Sequence, residues 1–185
     1  MRIPEKKVVA MSGDDGLTKR PYAGGYGSGD TSFDIVNSFL DVAPVDLGSM
    51  AERLGISVNM NAPFDDGASG RIKRSNNARS GYEIEVNMRH SSRRKRFTLA
   101  HEIAHYLLHR SMIGDGITDD ALYRSGLGSR IETEANKLAA ELLMPARLVR
   151  PFWRGGMRGL AQLCNLFDVS EAALRIRLEQ LRLNA

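Results

Sequence analysis

The pentapeptide His101-Glu102-Ile103-Ala104-His105 constrains this chain more than any other feature, because it stands inside a run whose apolar residues recur at helical spacing. Phe97, Ala100, Ile103, Ala104, Leu107 and Leu108 fall on one arc of a helix drawn at about 100° per residue, and His101 and His105 occupy the edge of that arc. The two histidines lie roughly 40° apart and one turn along the same face, so both imidazoles reach one point in space. The edge of a packed face suits metal ligands, since packing holds them while a cleft still reaches them. Two neutral imidazoles and a carboxylate suit zinc, leaving a fourth position for a water whose pKa the metal lowers towards about 7. Glu102 follows a ligand directly and points to one side of it, where a base takes that water's proton and passes it to a leaving amine. The pattern points to peptide-bond hydrolysis at a single Zn2+ ion, with His101 and His105 as ligands and Glu102 as the catalytic base.

Two histidines leave such a site one protein ligand short. His109, Asp115, Asp119, Asp120, Glu132 and Glu134 are the candidates downstream. Residues 129–144 read as a second helix, stopped by Pro145, in which Ile131, Ala135, Leu138, Ala139, Leu142 and Leu143 define the buried arc and Glu132 falls within it. A buried carboxylate needs a partner, which favours Glu132 as ligand. The same residue also fits a capping box, Ser129-Arg130-Ile131-Glu132, in which it would merely close the helix start. Glu134 shares the opposite face with Lys137 and Glu141, a spacing that reads as a solvated charge ladder. Asn136, one turn after Glu132, is placed to hold a ligand histidine through its other ring nitrogen. His109, one further turn along the first helix, reads as a supporting or cleft residue.

Around these helices the chain divides into three stretches. Residues 1–30, with Gly24-Gly25-Tyr26-Gly27-Ser28-Gly29, read as a flexible N-terminal extension. Residues 31–150 read as the metallopeptidase domain. It holds short helices around Phe33–Leu40 and Leu47–Leu54, the latter stopped at Gly55, and strands at 56–60, 70–74 and 82–88 where apolar and polar residues alternate. The Gly- and Asp-rich loop 111–128 between the two long helices is long enough to cover a site. Residues 151–185 read as a C-terminal helical segment, with helices at 159–167 and 170–182 and Ser170 as an N-cap.

Other function classes draw less support. Lys and Arg number 26 against 22 Asp and Glu, so the net charge of +4 permits an acidic partner without demanding one. No apolar run approaches the roughly 18–20 residues of a membrane span, and the start Met1-Arg2-Ile3-Pro4-Glu5-Lys6-Lys7 lacks a signal-type stretch, so the expected compartment is the cytoplasm. The single cysteine, Cys164, has no internal disulfide partner and reads as a core residue. Arg89-His90-Ser91-Ser92-Arg93-Arg94-Lys95-Arg96 reads as a solvated helix start, although its charges oppose the helix dipole.

The strings Arg96-Phe97-Thr98-Leu99-Ala100-His101-Glu102-Ile103-Ala104-His105-Tyr106-Leu107-Leu108-His109 and Glu132-Thr133-Glu134-Ala135-Asn136-Lys137-Leu138-Ala139-Ala140-Glu141-Leu142-Leu143-Met144-Pro145 together resemble the ImmA/IrrE metallopeptidases. The likeness runs more weakly back through Ser69-Gly70-Arg71-Ile72 and Ile84-Glu85-Val86-Asn87, covering about residues 32–150. It implies an α+β fold with a zincin-like metallopeptidase core, a small, mostly antiparallel sheet packed with helices, the histidine motif on the active-site helix, and further C-terminal helices. It also implies that His101, His105 and Glu132 bind zinc and that Glu102 is the general base. Glu132-Thr133-Glu134-Ala135-Asn136 is similar to the E-x-x-A/S-D/N element of thermolysin-like zincins, with Asn136 here in the position that supports a histidine. The oxyanion stabiliser stays open among Tyr106, His109, Tyr123 and Arg89.

Members of that family are regulatory proteases that cleave a repressor in response to stress or phage induction, and some occur in toxin–antitoxin-like pairs. The resemblance thus implies a protein substrate, a helix-turn-helix repressor or an antitoxin. A second reading is a DNA-binding regulator or toxin–antitoxin component with a structural or inactive metal site. Asp168-Val169-Ser170 resembles the turn of a helix-turn-helix unit, and Arg158, Arg175, Arg177 and Arg182 are its candidate phosphate contacts. Leu160, Leu163, Leu166, Leu174, Leu178 and Leu181 equally suit a hairpin packed on the core, and we rank packing above DNA contact.

Overall fold

The computed structural model describes residues 8–9, 31–65, 67–113 and 126–183. The elements run β1 (Val8–Val9), α1 (Thr31–Asn37), β2 (Val42–Ala43), α2 (Leu47–Arg53), β3 (Ser57–Ala62), β4 (Gly70–Arg74), β5 (Tyr82–Asn87), α3 (Ser92–His109), α4 (Gly126–Leu143), α5 (Ala146–Arg154), α6 (Leu160–Phe167) and α7 (Glu171–Gln180). The N-terminal extension lies outside the described residues except for Val8–Val9, which pair antiparallel with β2. Most of the expected 111–128 loop also lies outside them. What is described there is a single 3-10 turn at Arg110–Met112 and then α4, which starts at Gly126, three residues before the expected helix.

The local reasons for these elements are short-range. Asp46 caps α2 by accepting from the Ser49 N–H at 3.0 Å, and Gly55, at φ +79°, lets the chain turn out of that helix into β3. In β5 the alternation Tyr82, Ile84, Val86 puts three buried side chains on the face that meets α3, while Glu83 and Glu85 stand on the other face. There Glu85 pairs with Arg71 at 2.6 Å and with Lys73 at 2.5 Å.

β5 is the central strand of a three-stranded sheet ordered β3-β5-β4. It is antiparallel to β4, with Ile72 opposite Ile84, and parallel to β3, with Val58 opposite Ile84. Antiparallel pairing therefore holds for β4–β5 and β1–β2, whereas β3–β5 makes the main sheet mixed. Alternation of side chains specifies which face of a strand is buried and carries nothing about its neighbour's direction.

Helix α3 lies between this sheet and α4 and is buried nearly all round from Thr98 to Leu107. Its approach to β4 depends on Gly70, where a Cβ would stand 2.4 Å from Thr98 Cγ2 and 2.8 Å from the Glu85 carbonyl oxygen. The four basic residues at its start are each used. Arg93 reaches Asn165 at 2.8 Å, Arg94 reaches Ser69 at 3.0 Å, Lys95 reaches Asn61 at 3.3 Å, and Arg96 donates to the Val45 carbonyl at 3.1 Å. Arg93 and Arg96 also flank Asp168, at 3.5 and 3.3 Å. The expected solvated helix start is indeed partly exposed, with Arg94 in the open, and it also ties α3 to four other parts of the chain.

The C-terminal helices pack as a hairpin on the same core. Asp168, at φ 51°, ends α6 in the left-handed conformation, and Ser170 caps α7 by accepting from the Ala173 N–H at 3.2 Å. Leu163, Phe167 and Leu174 have no exposed surface, and at roughly 1.5–3 kcal/mol for each fully buried side chain their burial is enough to hold the pair in place. Cys164 is 4% exposed, and its burial raises the thiol pKa. No helix among the described residues is long and apolar enough to cross a membrane.

Candidate metal centre

Helices α3 and α4 bring His101, His105 and Glu132 together. One ligand atom from each lies within 4.8 Å of the others. His101 Nε2 and His105 Nε2 are 3.0 Å apart, and they stand 3.1 and 3.3 Å from the two carboxylate oxygens of Glu132. The histidines come from one turn of α3, as i, i+4 spacing requires, and Glu132 comes from the inward face of α4. Glu132 is committed to this cluster rather than to a helix cap, since α4 begins six residues before it.

The electrostatics suit a cation. Burial raises the carboxyl pKa of Glu132, but the two imidazoles beside it, when they carry a proton on Nε2, outweigh that effect and hold it down to about 2. Glu132 Oε1 is buried and has no hydrogen-bond donor in bonding geometry, although His105 Nε2 is only 3.3 Å away. A buried carboxylate oxygen left without a donor, beside two convergent ring nitrogens, is the donor set a divalent ion satisfies. These residues therefore fit a zinc-type site of two imidazoles and one carboxylate.

Each histidine is supported through its other ring nitrogen. His101 Nδ1 lies 3.1 Å from Asn136 Oδ1, one turn after Glu132 on α4, as its spacing predicted. His105 Nδ1 lies 3.2 Å from His109 Nδ1, and His109 Nε2 lies 3.3 Å from Glu134 Oε2. Burial pushes the pKa of His109 down, with Glu134 pulling the other way. Arg130, first, and then His109 hold the Glu134 carboxyl below its usual range.

Glu102 is 5% exposed and sits on the β4 side of α3, where its Oε1 would be 3.6 Å from a Cβ placed on Gly70. A carboxylate is in general able to take up and return a proton. Of the other residues weighed for the site, His109 stands behind His105 rather than among the converging atoms. Tyr106 packs edge-on against Tyr82 with ring centres 5.4 Å apart and lies under Arg110. Asp115, Asp119, Asp120 and Tyr123 lie outside the described residues.

Two charged residues behave differently from their helical projection. Glu134 keeps the solvated, i, i+4-paired character that its spacing suggested, with 40% of its side chain exposed and Arg130 one turn before it, but because helical side chains lean towards the N-terminus it also reaches His109. Glu141, 6% exposed, accepts from the Ala146 N–H at 3.1 Å and pairs with Arg177, itself 6% exposed. Arg177, a candidate phosphate contact only in the second reading, is thus buried, as packing on the core requires; it also donates to the Met144 carbonyl at 3.0 Å. Arg175 pairs with Glu171 at 2.6 Å on the surface of α7, and Arg158 lies over the Trp153 ring. Arg177 of α7 reaches the C-terminal end of α4, which is why Glu141 is buried there while Lys137, on the same face in projection, stays exposed.

The family model of the IrrE N-terminal-like domain, Peptidase_M78, matches residues 51–179. Among solved structures, the chain is similar to a Mycobacterium tuberculosis transcriptional regulator, with a TM-score of 0.48 and 16% identity over 83% of this chain. The chain spans 42% of the length of that protein. No curated protein sequence matches it.

Proposed function

Since the chain belongs to the Peptidase_M78 family of IrrE N-terminal-like domains, we propose that it is a zinc-dependent endopeptidase that acts in the cytoplasm on a regulatory protein, a helix-turn-helix repressor or antitoxin-like partner. The observation that carries this reading is the convergence of His101 Nε2, His105 Nε2 and the Glu132 carboxylate on one point, with the buried Glu102 next to His101 on the same helix. His101, His105 and Glu132 would hold the ion. When bound, zinc supplies a Lewis acid that polarises a carbonyl and lowers the pKa of water towards about 7. The Glu102 carboxylate takes the proton of the attacking water and delivers it to the leaving amine nitrogen. Asn136 holds His101 by its Nδ1, so the Nε2 lone pair stays turned to the centre. β4 is an outer strand of the sheet, and its Gly70 end lies beside Glu102, so an extended polypeptide laid along that edge would pass the proton acceptor.

The test compares the wild-type protein with Glu102→Gln in the cell that makes it, reading new protein N-termini by mass spectrometry. The expected result is one or a few cleavage products in a regulator that depend on wild type and vanish in Glu102→Gln, while both proteins retain one zinc per chain by elemental analysis. Identical termini in the two strains, under stress as well as at rest, would refute the peptidase reading.

A further inference from the structure

The two histidines that face the centre are supported by different devices: Asn136 stands at Nδ1 of His101, and a longer series of side chains stands at Nδ1 of His105. Behind His105 runs a chain of three groups: His105 Nδ1 to His109 Nδ1 at 3.2 Å, His109 Nε2 to Glu134 Oε2 at 3.3 Å, and Glu134 Oε1 to Arg130 Nε at 2.9 Å. We propose that His109 and Glu134 are positioning residues that lock His105 in the tautomer whose Nε2 lone pair faces the metal centre. The inference rests on reading this centre as a metal site.

Counting protons along the chain gives the tautomer. A carboxylate only accepts, so the proton between His109 and Glu134 sits on His109 Nε2. A neutral imidazole carries one N–H, which makes His109 Nδ1 an acceptor, and the contact with His105 Nδ1 then holds only if His105 donates there. With its single proton on Nδ1, His105 presents a lone pair at Nε2, the atom that lies 3.0 Å from His101 Nε2 and 3.3 Å from Glu132 Oε1. The opposite arrangement would aim an N–H into the centre and block an ion. His105 is 1% exposed and His109 5%, so water has little access to replace either partner. Glu134, from the outer part of α4, is oriented by Arg130 one turn before it on the same helix. The ligand oxygen of Glu132 and the far end of the relay therefore both come from α4, and the two histidines between them come from α3.

The test measures zinc affinity by competition with a chromophoric chelator for wild type, His109→Leu and His109→Gln, and reads histidine tautomers in the metal-free proteins from 15N chemical shifts. Leucine removes the acceptor behind His105, and glutamine restores a carbonyl there. His109→Leu should bind zinc about 10–100-fold more weakly, with most of that loss recovered in His109→Gln. Wild type should show His105 protonated at Nδ1 alone, and His109→Leu should show a mixture of tautomers. Zinc binding by His109→Leu within about threefold of wild type, short of the tenfold that losing such a partner costs, overturns the relay. So does His109→Gln binding as weakly as His109→Leu.

If His109→Leu does not fold, Glu134→Ala decides, because the Glu134 side chain is 40% exposed and its loss leaves no cavity in the core. It should free His109 to exchange tautomers; a single unchanged His109 tautomer overturns the relay. A wild-type protein that takes up no zinc refutes the metal-site reading and the relay with it, whereas normal uptake with unaffected variants refutes the relay alone.

Discussion

Asn136 Oδ1 lies 3.1 Å from His101 Nδ1, so the helix that supplies the Glu132 carboxylate also supplies the brace of the histidine beside it. Asn136→Ala should weaken zinc binding by about tenfold, and Asn136→Asp, which keeps an acceptor and adds charge, should bind at least as tightly as wild type. Chelator competition checks the order. Equal affinities in Asn136→Ala and wild type would show that the contact orients nothing.

Metal-free protein should lose the contribution of Glu132 only in strong acid. Its folded pKa is lowered from 4.5 to about 2, so the stability it adds is fully present above pH 4.5 and disappears as pH falls towards 2. The melting-temperature difference between wild type and Glu132→Gln should therefore shrink across that window. A difference that stays constant from pH 5 to about 2 would contradict the pairing of Glu132 with the two imidazoles in their Nε2-protonated form.

Gly70→Ala should destabilise the protein by roughly 1–3 kcal/mol, because the new methyl would stand 2.4 Å from Thr98 Cγ2 and 2.8 Å from the backbone oxygen of Glu85. Adding Thr98→Ser removes the first clash and leaves the second, so the double variant should recover part of the loss. Chemical denaturation measures both. A neutral Gly70→Ala would mean that β4 and α3 separate freely.

Arg177→Met should cost about 3–5 kcal/mol, since it leaves the Glu141 carboxylate buried without its partner. Glu141→Gln in the same background removes the stranded charge and keeps an acceptor for the Ala146 N–H, so it should restore a large share. If the two losses simply add, the buried pair is not coupled.

Much of the centre could be read from spacing alone. Histidines four apart on a helix must share a face, and a glutamate among Ile131, Ala135 and Leu138 must point inward, so the Glu132 contact followed from periodicity. Alternation located β3, β4 and β5 within a residue or two. What periodicity cannot carry is which face of a helix a later element covers. Glu141 looked wet because nothing local announces that α7 folds back over it, and Glu134 looked idle because a projection places Cα atoms and ignores the lean of long side chains. The parallel β3–β5 pairing was hidden for the same kind of reason, being a property of two distant segments.

The basic start of α3 has a consequence for how the centre comes into being. Arg93, Arg94, Lys95 and Arg96 sit at the positive end of the helix dipole, and Ser91 makes no side-chain cap, so the isolated segment is a poor helix. Among the described residues its charges meet Asn61, Ser69, Val45, Asn165 and Asp168, with Asp46 also acting on Arg96, groups that arrive from both sides of it along the chain. The helix that sets His101 and His105 on one face thus leans on contacts with distant segments of the chain. Where those contacts are lost, nothing local holds the two imidazoles side by side, so the geometry of the centre is a property of the whole packed chain and not of its motif.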